Sequence, residues 1–338
     1  MKKIIALIVT AILLTGSLAA CGNSQPAAKG SSVTGSGSKQ ATEESKLKVV
    51  TTIFPIYDWV ENILGENAKH AEVDILLDNG VDLHSFQPTV DDILKISDSD
   101  VFIYVGGESD AWVDDALKQA VNKDMVVINL LEALGKDAKE EEVIEGMQAE
   151  KEEEAGEEGP EYDEHVWLSL KNAMKLVQTI TDALSKVDSD CADIYKKNMD
   201  SYLQQLSVLD SEYEAAVAAA PVKTLLFGDR FPFRYMTDDY GLDYYAAFVG
   251  CSAETEASFE TITFLAKKID ELSLNAVMII EGSDRRIAET IVQSTKTKDQ
   301  KILSMDSLQS VTADAVAAGT TYLSVMEKDL DVLKEALK

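Results

Sequence analysis

A chain of 338 residues with 46% hydrophobic content and only six prolines carries enough apolar surface to bury a substantial core, and its length favours two domains over one. A formal net charge of −29 repels nucleic-acid phosphates and anionic lipid headgroups, which excludes DNA or RNA binding and leaves cations and basic surfaces as the partners its field attracts.

The first residues form a processing signal. Lys2 and Lys3 precede the apolar run IIALIVTAILL, and small residues then lead to Cys21, the layout of an export signal on a run too short to span a membrane comfortably. LAAC followed by Gly22 resembles the bacterial lipobox, which implies removal of residues 1–20 and diacylation of Cys21. An acyl chain tethers the protein to the membrane, facing outward. Residues 21–46 are rich in Gly and Ser without apolar periodicity and read as a flexible tether.

From Leu47 onward, short apolar runs alternate with helical patterns. LKVVTTI, VDILL, VFIYVG and MVVINL occupy the first half; VKTLLFG, LDYYAAF, NAVMII and KILSM occupy the second. Runs of Val, Ile and Leu without polar alternation suit strands buried on both faces. The expected fold class is α/β: two lobes, residues 47–189 and 221–338, each a mainly parallel sheet flanked by helices. Residues 190–220 join them as one long amphipathic helix, with Tyr195, Met199, Tyr202, Leu206, Leu209 and Tyr213 at helical spacing and no Gly or Pro to interrupt it.

Between the last strand of the first lobe and the next helix, residues 136–164 form an acidic segment that reads as a solvated loop, with a weak cation-gathering role as the other reading. The chain has three histidines. His70 precedes a strand and is expected to be exposed and uninvolved. His84 precedes Pro88 and a helix start where Thr89 and Asp92 have capping-box spacing. His165, in DEHVWL, ends the acidic segment ahead of a helix from Ser169 to Leu184. In the second half Asp229, Glu281 and Asp306 follow apolar runs, at the strand ends where doubly wound sheets gather ligands. A carboxylate just past a buried strand can also cap the following helix, which is the other reading for Glu281 and Asp306. Cys191 and Cys251 could form a disulfide, and Cys251, just past a strand near the expected cleft, could instead offer a thiolate; both are left unassigned. Trp59, Trp112 and Trp167 suit packing roles.

HSFQPTVDDI resembles the His-x-x-x-Pro-x-x-x-Asp signature of the zinc and manganese receptors that serve bacterial ABC importers. VFIYVGGESDAWVD, DEHVWLSLKNA, YMTDDYGL, GCSAETEAS and MDSLQS follow in that family's order, so the resemblance covers about residues 47–338. It implies one metal ion held between the lobes on His84, His165, Asp229 and Asp306, with Asp229 where the family usually has His or Glu. Glu281 falls on a family glutamate that is generally not a ligand and is kept as a supporting or reserve carboxylate.

Two imidazoles and two carboxylates suit Mn(II), Zn(II) or Fe(II), and the carboxylate at 229 tips the balance slightly towards manganese. The expected function is a monomeric, extracytoplasmic, lipid-anchored receptor, without catalysis, that delivers Mn2+ or Zn2+ to an ABC permease driven by a cytoplasmic ATPase. A metal-dependent hydrolase is the first alternative, although HExxH, nucleophile-elbow and phosphate-loop motifs are absent from the sequence. A surface adhesin is the second. Affinity is expected to fall below about pH 6 to 6.5 as protons compete for the imidazoles.

Overall fold

The architecture is described for residues 46–148, 161–252 and 256–338 of a computed structural model. The signal segment, Cys21 and the tether as far as residue 45 lie outside the described residues, as do residues 149–160 of the acidic segment.

The first lobe runs β1 (Leu47–Thr51), α1 (Phe54–Leu64), β2 (Ala71–Ile75), α2 (Val90–Ser97), β3 (Val101–Tyr104), α3 (Val113–Lys118), β4 (Val126–Asn129), α4 (Leu130–Leu134) and α5 (Leu170–Val187). The 28-residue α6 (Ala192–Ala219) follows. The second lobe runs β5 (Thr224–Phe231), α7 (Arg234–Tyr240), β6 (Asp243–Val249), α8 (Phe259–Leu272), β7 (Ala276–Ile280), α9 (Arg286–Ser294), β8 (Lys301–Met305), α10 (Ala313–Ala317) and α11 (Tyr322–Ala336).

Both sheets are parallel and four-stranded, in the orders β2-β1-β3-β4 and β6-β5-β7-β8. Val49 pairs with Val73 on one side and Val101 on the other, and every residue of β7 is buried, as strands covered on both faces require. The two orders are equivalent, and each reverses winding between its first and third strands. That reversal opens a crevice at the carboxyl ends of β1 and β3 in one lobe and of β5 and β7 in the other. The α/β two-lobe expectation therefore holds.

Helix α6 is fixed to both lobes. Near its start Asn198 donates to the Ile63 carbonyl (3.0 Å) and the Tyr202 hydroxyl to Asp58 (3.2 Å), both on α1; near its end the Tyr213 hydroxyl donates to the Met326 carbonyl on α11 (2.7 Å). One continuous buried cluster includes Trp59, Trp167, Tyr202, Tyr213 and Tyr322, so the lobes share a core. A second cluster, built on Leu226, Phe248, Leu265 and Ile291, fills the space between the second sheet, α8 and α9. Among the described residues no helix is long and apolar enough to cross a membrane.

The described part of the acidic segment departs from the solvated loop expected of it. Glu140 and Tyr162 form an antiparallel bridge, Gln148 donates from its backbone to Ala247 (2.9 Å), and Glu142 and Glu145 pair with Arg234 and Lys268. Composition alone reads as disorder, but basic side chains on α7 and α8 face these acids and Met147 packs on the core. The described part of the segment therefore lies along the second lobe.

Candidate metal centre

His84 stands on a short turn after β2. Leu83 beside it is buried, and the Asp82 carboxylate accepts the His84 backbone N–H (3.0 Å) while its other oxygen pairs with Arg230 of β5. The predicted capping box is present: Thr89 and Asp92 satisfy each other's backbone at the start of α2. Backbone and cap together fix where this imidazole stands.

His165 is fully buried. One oxygen of Asp163, itself buried, accepts the His165 backbone N–H and faces its Nδ1, both at 2.9 Å. The Tyr235 hydroxyl donates to the Asp163 carbonyl (2.9 Å) and accepts from the Lys139 N–H (2.9 Å), so the turn is held from the second lobe as well. Ser169 caps α5 immediately downstream. Glu164 points the other way, where its carboxylate accepts the Ser109 N–H (2.9 Å) and lies 3.5 Å from His84 Nδ1. It fits there because Gly107 has φ of +84° and no side chain; a Cβ at that position would lie 2.3 Å from the carboxylate.

The two rings converge, with His84 Nε2 3.2 Å from His165 Nε2. His84 Nδ1 meets Ser109 Oγ at 2.7 Å and His165 Nδ1 meets Asp163. With each Nδ1 proton donated to its oxygen partner, both Nε2 lone pairs face the same point. Two nitrogens on a tetrahedral zinc lie about 3.3 Å apart, and carboxylate-oriented imidazoles are the usual support of such ligands.

Burial, and then the neighbouring His165, push the His84 imidazole well below its ordinary range. The expected loss of affinity below pH 6 to 6.5 therefore does not follow from His84, because a desolvated imidazole disfavours its charged form. Burial pushes Glu164 up to about 7, and Glu281 also to about 7. A dication relieves carboxylates crowded into such surroundings.

Among the described residues, the group whose ligand atoms lie within 4.8 Å of one another is His84, His165 and Cys251. Asp229 and Asp306 are not brought into that group. Asp229, inside β5 where its pairing with β6 is interrupted, accepts the Arg230 N–H with one oxygen (2.9 Å) and has the other buried without a partner. It lines a cleft of about 400 Å³ together with Ser85, Arg230 and Glu281. The Asp306 carboxylate folds back to accept the Leu308 N–H (2.8 Å), while its own N–H donates to Asp329 (2.9 Å). Burial raises its carboxyl above the usual range. Glu281 commits both oxygens to Ser307, at 2.6 and 2.7 Å, which is the geometry of a supporting carboxylate. Cys191 and Cys251 are free thiols. His70 is exposed.

Sequence reasoning missed Asp163 and Glu164 by counting them with the acidic run. Their adjacency to His165 was the available signal, since a carboxylate two residues before a histidine can reach both its backbone and its ring.

A profile for the family described as zinc-uptake complex component A, periplasmic, matches residues 49–336. The zinc-binding protein AdcA of Streptococcus pyogenes is 30% identical over 302 residues, covering 88% of this chain and 57% of AdcA, so the chain spans just over half of that relative. The high-affinity zinc uptake system protein ZnuA of Bacillus subtilis is 29% identical over 323 residues, covering 95% of this chain and 93% of its own. The structure of the Zn(II)-bound ZnuA-like domain of Streptococcus pneumoniae AdcA superimposes with a TM-score of 0.67 at 28% identity, covering 86% of this chain and 99% of that one.

Proposed function

The chain belongs to the periplasmic zinc-uptake component A family over residues 49–336, and we propose that it is a lipid-anchored extracytoplasmic receptor that captures Zn(II) between its lobes and delivers it to an ABC permease with a cytoplasmic ATPase. The observation that carries this reading is the pair of imidazole nitrogens 3.2 Å apart, each ring backed on its far side by an oxygen partner. Zinc now stands ahead of manganese, because the relatives above are named for zinc.

The cargo ion binds His84 and His165 as neutral imidazoles, while burial keeps the first of these unprotonated. Asp306 and Asp229, both in the second lobe, supply the anionic side of the cleft and offset the charge of the dication. Asp163 and Ser109 hold the rings in the ligating tautomer, and Glu281 fixes the Ser307 turn beside Asp306. Cys21 anchors the receptor at the outer face of the membrane, and the chain works as a monomer without catalysing a reaction.

The test is elemental analysis and melting of metal-stripped protein re-equilibrated with Zn(II) or Mn(II). One equivalent of zinc and a rise in Tm that grows with free zinc are expected. His84→Ala and His165→Ala should each abolish both. Unchanged melting with either ion refutes the proposal.

A further inference from the structure

Resting on that reading, we propose that the ion's third ligand is the Cys251 thiolate, at a place in the chain different from Asp229. Three observations carry this assignment.

The first is proximity. Sγ of Cys251 and one ring nitrogen from each of His84 and His165 lie within 4.8 Å of one another. A tetrahedral zinc requires nitrogen and sulfur about 3.6 Å apart, a difference that side-chain rotation can close.

The second is how the backbone delivers the thiol. Cys251 follows β6 by two residues, at the carboxyl end of a parallel strand, and the intervening Gly250 is pressed against the imidazole. A Cβ on Gly250 would lie 3.0 Å from His165 Cε1 and 3.1 Å from its Nδ1. The Cys251 N–H donates to the Glu141 carboxylate (3.1 Å), which ties this turn to the segment lying along the second lobe. The turn is thus fixed from two sides, with its thiol beside the paired rings.

The third is the state of the competing groups. Asp229 accepts the Arg230 N–H with one oxygen and leaves the other unpartnered, but it sits outside the group that the two rings form with the thiol. Cys251 is free. Without a disulfide its sulfur is available to an ion, and of the two free cysteines it is the one that stands beside the paired imidazoles. Coordination forms a metal–sulfur bond and releases the thiol proton to solvent, with no change of oxidation state.

A His2Cys set is softer than the His2Asp2 set read from the sequence. It favours Zn(II) over Mn(II) through ligand type, beyond the intrinsic affinity order.

The test begins with the unmutated full chain, stripped and loaded with one equivalent of Co(II) as a spectroscopic stand-in for zinc. A thiolate-to-cobalt charge-transfer band in the near ultraviolet is expected. Saturating Zn(II) should protect Cys251 from alkylation while leaving Cys191 as reactive as before. Cys251→Ser should abolish the band and weaken zinc binding by about 100-fold or more, beyond the 10- to 100-fold typical of a lost supporting contact. One zinc bound in a His84-dependent way, without the cobalt band or protection and with Cys251→Ser within about threefold of the parent, overturns the thiolate and leaves the receptor reading standing. No zinc bound by the unmutated chain overturns both.

Discussion

Asp163→Ala tests the supporting half of the metal centre. A single carboxylate oxygen accepts two hydrogen bonds from His165, at 2.9 Å from the backbone N–H and 2.9 Å from Nδ1, with both residues buried. Removing it frees the ring to rotate and to exchange tautomers, and it withdraws the negative charge that makes Nε2 a better donor. Loss of such a partner lowers metal affinity by about 10- to 100-fold, or roughly 1.4 to 2.7 kcal/mol. It also leaves two buried donors unpaired, at about 1 to 3 kcal/mol each if water does not reach them, so a fall in metal-free Tm accompanies the loss. Asp163→Asn keeps an acceptor and loses the charge, and it should fall between the parent and the alanine variant. Competition against a chromophoric zinc chelator at fixed pH reads the affinities, with exposed Asp115→Ala as the control. If Asp163→Ala binds zinc within about threefold of the parent while His165→Ala abolishes binding, the orienting role is refuted.

Other consequences concern stability and charge. Burial pushes Asp58 up to about 6 from an ordinary value of 3.8. The native state therefore holds a proton that the unfolded state releases, and stability from this site falls as pH rises from about 4 through 6, by at most about 3 kcal/mol. Asp58→Asn, whose amide oxygen can still accept from Tyr202, should be more favourable relative to the parent at pH 8 than at pH 4.5; equal urea midpoint shifts at both would contradict this. Trp167 is fully buried and its Nε1 donates to the Ser307 carbonyl (2.8 Å), so Trp167→Ala should cost about 3 to 5 kcal/mol in urea unfolding. Asp82 and Arg230 are ion-pair partners with opposite expected effects on zinc. Asp82→Ala releases the His84 backbone and weakens binding by about 10-fold, whereas Arg230→Gln removes a nearby positive charge and strengthens it at low salt. Matching signs for the two variants would show that the pair acts only as a structural clasp.

The two sheets were legible because their strands are almost purely apolar, and α6 because its stripe of Tyr and Leu runs without a breaker. His84 and His165 were legible through motif order: each stands beside a helix start whose caps are local and readable. The donors from the second lobe were harder, because sequence gives the end of a strand but not the direction of the side chain there. Asp229 and Asp306 both follow apolar runs as expected, yet each carboxylate is engaged by backbone N–H groups one or two residues ahead. Cys251 lies beyond a strand in the same manner and projects towards the rings because Gly250 permits the close approach, a tertiary fact with no local sign. The acidic segment misled for the opposite reason, since its partners Arg234 and Lys268 are distant in sequence.

How far the lobes move on capturing an ion follows from what joins them. Beyond α6, the Trp167 ring of the first lobe donates to Ser307 of the second, and Tyr322 of the second donates back to the Trp167 carbonyl (2.6 Å). Asn79 also forms an antiparallel bridge with Thr312, and Ala313 donates to the Asp78 carbonyl (2.6 Å). A wide hinge opening would break these contacts and split the shared core, at about 1 to 3 kcal/mol for each buried polar group left unpaired and more for the apolar surface exposed. Rotation of the Cys251, Asp229 and Asp306 side chains within an almost fixed frame costs far less. On the proposed reading, metal capture is a rearrangement of donors around two preset imidazoles, with any tilt between the lobes limited to what those contacts tolerate. X-ray scattering with and without zinc should show a nearly unchanged radius of gyration, and a contraction typical of hinge-closing receptors would refute the fixed frame.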